Sequence, residues 1–261
     1  VNSTWLRRFT TAAGKGPRLV CFPHAGGSAT AYTSLTRTLP ADFDVVCVQY
    51  PGRQDRYGEA PFTALGPLVE AVAGELAREL AVDPGRPYAL FGHSMGALVA
   101  YETARLLAGG ELPSPRRLFL SGRGAPGPGG SAARPHPHDD ADVLAEMRRL
   151  GGTDQDMLDN PEVLEMVLPA LRADYRALGT YRWRAGEPLA TAITALVGDR
   201  DPVVTVQEAL AWREHTSGGF ALKVFPGGHF YLSDRIGQVA AAVTEGLLAT
   251  IPAQTRRLTL P

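Results

Sequence analysis

Five residues, Gly92-His93-Ser94-Met95-Gly96, constrain this chain more than any other feature. They follow the apolar run Tyr88-Ala89-Leu90-Phe91 and lead straight into Ala97-Leu98-Val99-Ala100-Tyr101. That order reads as a strand, a sharp turn and a buried helix, with a serine at the apex. Such an apex holds a hydroxyl clear of the backbone, as a nucleophile requires. Side chains at 92 and 96 would collide where strand and helix approach, so glycine has a steric role at both. The pentapeptide alone is a weak signal in a chain with 29 glycines, and its context gives it weight.

The 261 residues, 44% of them hydrophobic, suffice for one sizeable core, and a single domain over 1–261 is expected. A formal net charge of −1 and the lack of a long basic run argue against nucleic acid as a partner. Val1-Asn2-Ser3-Thr4-Trp5 carries no apolar signal segment, and no stretch reaches the length of a membrane span. A cytoplasmic protein without membrane association is the resulting expectation, with a monomer as the default state. Cys21 and Cys47 sit inside apolar strand patterns without accompanying Cys/His ligand spacing. They are expected to be reduced, buried and small, with neither a disulfide nor a metal.

Six short apolar runs mark parallel strands: Arg18 to Phe22, Asp44 to Gln49, Tyr88 to Phe91, Arg117 to Ser121, Ala192 to Val197 and Ala221 to Phe225. Trp5 to Phe9 is a candidate antiparallel edge strand. Helical spacing joins Leu65, Leu68, Val69, Val72, Leu76 and Leu80, and later Ile236, Val239, Ala240, Val243, Leu247 and Ile251. Thr205 and Glu208 have capping-box spacing, predicting a helix through Trp212. The fold class is therefore α/β, a mostly parallel central sheet with helices on both faces.

One connection is too long for a plain crossover. About seventy residues separate Ser121 from Ala192. Gly124 to Pro137, dense in glycine and proline, reads as a mobile loop. Val143, Leu144, Met147 and Leu150 then form one helical pattern, and Leu164, Val167, Leu168, Leu171, Tyr175 and Leu178 a second. Asn160 and Pro161 open the second, and Pro169 is expected to kink or divide it. We read this insertion, approximately 124–187 and after the fourth parallel strand, as a helical lid over Ser94. A structural elaboration without that role is the alternative.

A serine hydroxyl needs a base, and the base a carboxylate to orient it. Gly198-Asp199-Arg200-Asp201-Pro202 follows the fifth parallel strand, and Phe225-Pro226-Gly227-Gly228-His229-Phe230 the sixth. Both lie at strand C-terminal ends, where open α/β sheets place their sites. Ser94, Asp201 and His229 follow the serine–acid–histidine order of α/β-hydrolase folds. Asp199 is the rival acid; Asp201 is preferred because it lies further beyond the strand end. Among the other histidines, His24 and His93 flank the site as loop and elbow residues. His136 and His138 sit in the long loop, where a metal is the alternative to solvation, and His215 at a helix end. An oxyanion needs two backbone N–H groups, here assigned to Met95 and to Ala25 in Pro23-His24-Ala25-Gly26-Gly27-Ser28.

These residues, nearly end to end, resemble the type II thioesterases of polyketide and nonribosomal peptide pathways. The likeness rests on Cys21-Phe22-Pro23-His24-Ala25-Gly26-Gly27, Gln49-Tyr50-Pro51-Gly52-Arg53, the serine turn, and Leu171-Arg172-Ala173-Asp174-Tyr175. It closes on Gly198 to Pro202 and on Phe225 to Leu232. The resemblance implies a stand-alone editing enzyme that hydrolyses stalled or wrong acyl groups from the phosphopantetheine arm of acyl or peptidyl carrier proteins. It implies Ser94, Asp201 and His229 as the triad, with Ala25 and Met95 as oxyanion donors. No cofactor is expected, because the prosthetic arm belongs to the substrate.

Carrier proteins of such pathways are generally acidic, as the resemblance implies. Arg53, Arg56, Arg123, Arg134, Arg148 and Arg149 are candidates for a receiving surface, or else ordinary solvated arginines. Met147, Leu164 and Tyr175 are candidate walls of an acyl chamber, for which a short chain is expected, or else part of the lid's own core. Three other readings fit the triad: an oxygen-ester carboxylesterase, an acyltransferase, and a hydrolase-like binding protein without activity.

Overall fold

Every residue of β2 (Arg18–Phe22) is buried, and its side chains alternate between two cores. Leu19 and Cys21 pack with Phe91, Phe119 and Val243 on one face. Val20 and Phe22 pack with Leu90, Leu120 and Leu76 on the other. Burial on both faces is why such strands appear as unbroken apolar runs.

The computed structural model describes residues 3–9, 16–110, 112–127, 139–151 and 159–250. Among them β2 is joined in parallel by β3 (Asp44–Val48), β4 (Tyr88–His93), β5 (Arg117–Ser121), β6 (Ala192–Gly198) and β7 (Phe220–Phe225). β1 (Leu6–Arg7) pairs antiparallel with β3, so the sheet order is β1-β3-β2-β4-β5-β6-β7. The expected edge strand is thus present but only two residues long. β4 runs two residues beyond its expected end, because Gly92 and His93 pair with Leu120 and Ser121. Cys21 and Cys47 are free, buried and in register on neighbouring strands.

Helices α1 (Thr33–Thr38) and α7 (Ile236–Ala249) cover one face through Leu35, Val239, Val243 and Leu247. The expected last contact of α7, Ile251, lies outside the described residues. Helices α2 (Leu65–Ala81) and α3 (Met95–Ala108) cover the other. The apolar stripe of α2 is the one its spacing predicts, whereas α3, wedged beneath α2, is buried around most of its circumference. The capping box at Thr205 is formed, but its helix α6 (Val206–Leu210) ends early and Trp212 lies on the following 3₁₀ turn.

The long connection holds α4 (Asp140–Leu150) and α5 (Pro161–Thr180). Asp139 caps α4 by accepting the Asp142 N–H at 2.9 Å. Asn160 caps α5 through the N–H groups of Glu162 and Val163. Pro169 does not divide α5. It removes one hydrogen bond, while its neighbours Leu168, Ala170 and Leu171 are buried and hold the helix together. Most of the loop expected from Gly124 to Pro137 lies outside the described residues.

The strand order reverses between β2 and β4: the chain leaves β2 for β3, then returns across it to β4. Open α/β sheets bind ligands at such a reversal, beyond the strand C-termini. Here the segment after β2 begins Pro23-His24-Ala25 and the residue after β4 is Ser94.

Candidate active site

Ser94 has φ 55° and ψ −117°, and only one other non-glycine among the described residues, Gln54, has positive φ. Such a conformation costs on the order of 1–3 kcal/mol and persists only where its surroundings impose it. The Ser94 N–H donates to Ser121 O at 2.8 Å, extending the β4–β5 ladder, and Ser94 O accepts from Ala97 at 3.1 Å. A β-carbon on Gly92 would lie 2.1 Å from Gly96 O, and one on Gly96 would lie 1.9 Å from Phe22 O. Strand, turn and helix therefore approach as the pentapeptide predicts. Ser94 precedes α3 without capping it by its side chain, so the hydroxyl is not spent there.

His229 and Asp201 meet beyond β7 and β6. The His229 Nδ1 lies 2.9 Å from Asp201 Oδ2 and 3.0 Å from Oδ1. Asp201 Oδ1 also accepts the N–H groups of Val203 at 2.8 Å and Val204 at 3.3 Å. Asp199 has the other role open to it: it accepts the Gly227 N–H at 2.8 Å and braces the turn before His229. That bond, ahead of the Arg200 charge, holds its carboxyl below the usual range. Ser94 and His229 flank the same end of β5. Ser121 O takes the Ser94 N–H, and a β-carbon on Gly122 would lie 3.3 Å from His229 Cε1. No hydrogen bond closes between Ser94 Oγ and His229 in this conformation; such contacts often tighten only with substrate bound.

Two more imidazoles complete the cluster. The His93 ring centroid is 4.8 Å from that of His229, and His24 packs edge-on to Phe230 at 5.0 Å. Burial, with help from the charges of His229 and Arg53, lowers the His24 pKa to about 4. Burial also holds His93 well below its ordinary value. His93 Nδ1 bonds Ser121 Oγ at 2.9 Å, which bonds Tyr231 OH at 2.6 Å. His215 is remote from this group, bonding Tyr101 OH through Nδ1 at 2.8 Å. His136 and His138 lie outside the described residues. Among the described residues no group of three or more His, Cys, Asp or Glu is arranged to hold a metal ion.

The loop after β2 is tightly held. Gly27 N–H donates to His24 O at 2.9 Å, and Gly26 N–H donates to Asp174 Oδ2 at 2.7 Å. Asp174, on α5, forms a two-pronged pair with Arg53 at 2.7 and 2.9 Å, and Arg53 Nη1 also donates to Gly27 O at 3.0 Å. This overturns the placement of Arg53 on a receiving surface: it is buried inside the protein. Arg56 is likewise buried, bonding Gln49 O and Glu59 and lying over the Trp5 ring. A sequence displays their charge but not the carboxylates and carbonyls that desolvate them. Arg148 and Arg149 are more exposed and pair with Asp159 and Glu146. Arg123 also has an interaction partner, and Arg134 lies outside the described residues.

Asp174 went unassigned as a functional residue because its partners are distant in sequence. Its only signal was its place in Leu171-Arg172-Ala173-Asp174-Tyr175.

A cavity of about 220 Å³ opens between the insertion and this loop. Met147, Leu164 and Tyr175 all line it, with Leu150, Val163 and Val167, and so do Ala25, Gly26 and Phe230. The three candidate wall residues thus converge, and the residue following His229 lines the same cavity.

Comparison with known proteins agrees with this geometry. The thioesterase domain family model matches residues 17–247. The chain is 44% identical over 260 residues to thioesterase PikA5 of Streptomyces venezuelae, covering 100% of this chain and 91% of that protein. It is 46% identical over 244 residues to a probable cadicidin biosynthesis thioesterase of Streptomyces griseus, covering 93% of this chain and 66% of that one. The structure of the type II thioesterase BorB from the borrelidin biosynthetic cluster superposes with a TM-score of 0.84 at 42% identity, covering 94% of this chain and 98% of that one. Strand order, serine turn and matched sequence together make this chain a member of the thioesterase family, with the α/β-hydrolase fold.

Proposed function

We propose that this protein is an editing thioesterase that removes stalled or aberrant acyl groups from the phosphopantetheine arm of acyl or peptidyl carrier proteins. The observation that carries this reading is the gathering of Ser94, His229 and Asp201 at one end of β4 to β7, beside an apolar cavity. The likeness to BorB, a type II thioesterase from a biosynthetic cluster, supports the substrate class.

With Nδ1–H donated to Asp201, His229 presents Nε2 as a base. Ser94 Oγ attacks the thioester carbonyl and gives its proton to Nε2. The resulting oxyanion rests on the N–H groups of Met95 and Ala25. The C–S bond breaks, and the pantetheine sulfur takes the proton from His229. A thiol with a pKa of ~8.5 leaves far more readily than an amine. Water, deprotonated by His229, then attacks the acyl-serine, releasing a carboxylic acid and restoring Ser94. The insertion acts as a lid over this site, with α4 and α5 enclosing a short acyl group in the cavity.

Acyl release from a carrier protein, compared with the same acyl groups on coenzyme A and on matched oxygen esters, tests the assignment. Ser94→Ala is expected to lower release on the order of a millionfold. Full activity in that variant, or preference for the oxygen ester, would overturn it.

A further inference from the structure

We propose that Asp174 and Arg53 are positioning residues that aim the Ala25 amide at the developing oxyanion, so that an insertion helix sets the geometry of the reaction centre. The role of Ala25 itself rests on the function proposed above. Two peptide planes meet at the Ala25 Cα. The first carries His24 C=O and Ala25 N–H, and its carbonyl is held by Gly27 N–H at 2.9 Å. A trans peptide points its N–H opposite to its C=O, so this bond turns the Ala25 N–H out of the loop. The second carries Ala25 C=O and Gly26 N–H, and that N–H is held by Asp174 Oδ2 at 2.7 Å.

Arg53 locks both planes together. It grips the two Asp174 oxygens and donates to Gly27 O, the carbonyl of the residue that fixes the first plane. Asp174 and Arg53 retain only 2% and 7% of their exposure, so water does not compete for these bonds. Leu171, one turn before Asp174 on α5, closes on the same loop: a β-carbon on Gly26, at φ +73°, would lie 2.7 Å from its Cδ1. Among the described residues the N–H groups of Gly26 and Gly27 are committed, whereas that of Ala25 takes no protein partner.

A buried ion pair often adds little to stability over an apolar replacement, which lets positioning be separated from folding. Arg53→Met with Asp174→Leu removes both charges and the Gly26 anchor. Arg53→Met with Asp174→Asn removes the charges but keeps an oxygen for the Gly26 N–H. The expected result for the leucine pair is a cooperatively folded protein with kcat about ten- to a hundredfold lower and KM within about threefold. The asparagine pair is expected to recover most of that loss. Should the leucine pair fail to fold, Asp174→Glu, which keeps the ion pair but displaces its oxygens, is expected to lower kcat at unchanged KM.

The measurements use hexanoyl-pantetheine and p-nitrophenyl hexanoate, whose tetrahedral intermediates need the same amides. Wild-type turnover of the ester alone would reject the thioesterase assignment and leave the positioning role readable from the ester. Wild-type kcat in the leucine pair, in Asp174→Glu, or a loss confined to KM would overturn the positioning role.

Discussion

His229 Nδ1 lies 2.9 Å from Asp201 Oδ2, and the two side chains retain 1% and 0% of their exposure. The second carboxylate oxygen is already shared with the N–H groups of Val203 and Val204. In Asp201→Asn the amide oxygen would remain with those donors and the NH₂ would face Nδ1. The imidazole would then carry its proton on Nε2, the wrong nitrogen for a base. A fall in kcat of about 10⁴-fold is expected, the scale of the corresponding change in the serine protease template. Asp199→Asn should cost less than about tenfold, because Asp199 braces the Gly227 turn and does not touch His229. Comparable losses in the two variants would reverse the assignment of the acid.

The turn around Ser94 makes a prediction about stability. Added β-carbons at Gly92 and Gly96 meet backbone atoms of Gly96 and Phe22, which cannot swing aside as side chains do. Gly96→Ala is expected to cost about 3 kcal/mol or more, read as a lowered melting temperature. Gly74, in the middle of α2, has nothing within 4 Å of such an atom. Gly74→Ala should stabilise the protein by about 0.5–1 kcal/mol. A neutral Gly96→Ala would mean that the close approach of β2, β4 and α3 is not required.

How much of this was legible beforehand depended on the range of each signal. The strands were readable because their runs are local: Leu19 to Phe22 face two cores and cannot carry solvated side chains. The gathering of Ser94, Asp201 and His229 at one end of the sheet was readable because each lies within a few residues of a recognisable strand end. Arg53 was misplaced because its partner Asp174 lies 121 residues away, and no local pattern encodes such a pairing. Pro169 does not divide α5, since its local rule yields to the burial of its neighbours. The preference for Asp201 over Asp199 rested only on its position further beyond the strand end, because which carboxylate reaches His229 depends on the fold of the turn.

Acid sensitivity follows from the two neutral imidazoles. Burial lowers the His24 pKa to about 4 and holds His93 well below 6.5. In the unfolded chain both would bind protons near pH 6.5, the ordinary histidine value. Below that pH the unfolded chain takes up protons that the folded one refuses. This contribution to stability is therefore complete above about 6.5 and lost as pH falls toward 4. The urea midpoint of the native protein should drop between pH 7 and pH 5. His93→Gln removes one of these groups and should drop less over the same interval. An equal or larger drop would show that His93 is not held neutral.

The cavity gives a prediction about acyl length. Leu164 sits on α5 and lines the space together with Met147 and Tyr175, as do Ala25 and Phe230, the neighbour of His229 in sequence. A tryptophan at 164 would occupy part of the roughly 220 Å³ available. Acetyl thioesters need little of that volume, and longer chains need more of it. Leu164→Trp should therefore lower kcat/KM for octanoyl-pantetheine at least about tenfold more than for acetyl-pantetheine, the discrimination that apolar pockets achieve over a few methylenes. Labelling of Ser94 by a small fluorophosphonate should proceed at the native rate, since a probe that small needs little of the cavity volume. If both thioesters decline together while labelling is unchanged, the acyl chain does not occupy this cavity, and its walls are core of the insertion alone.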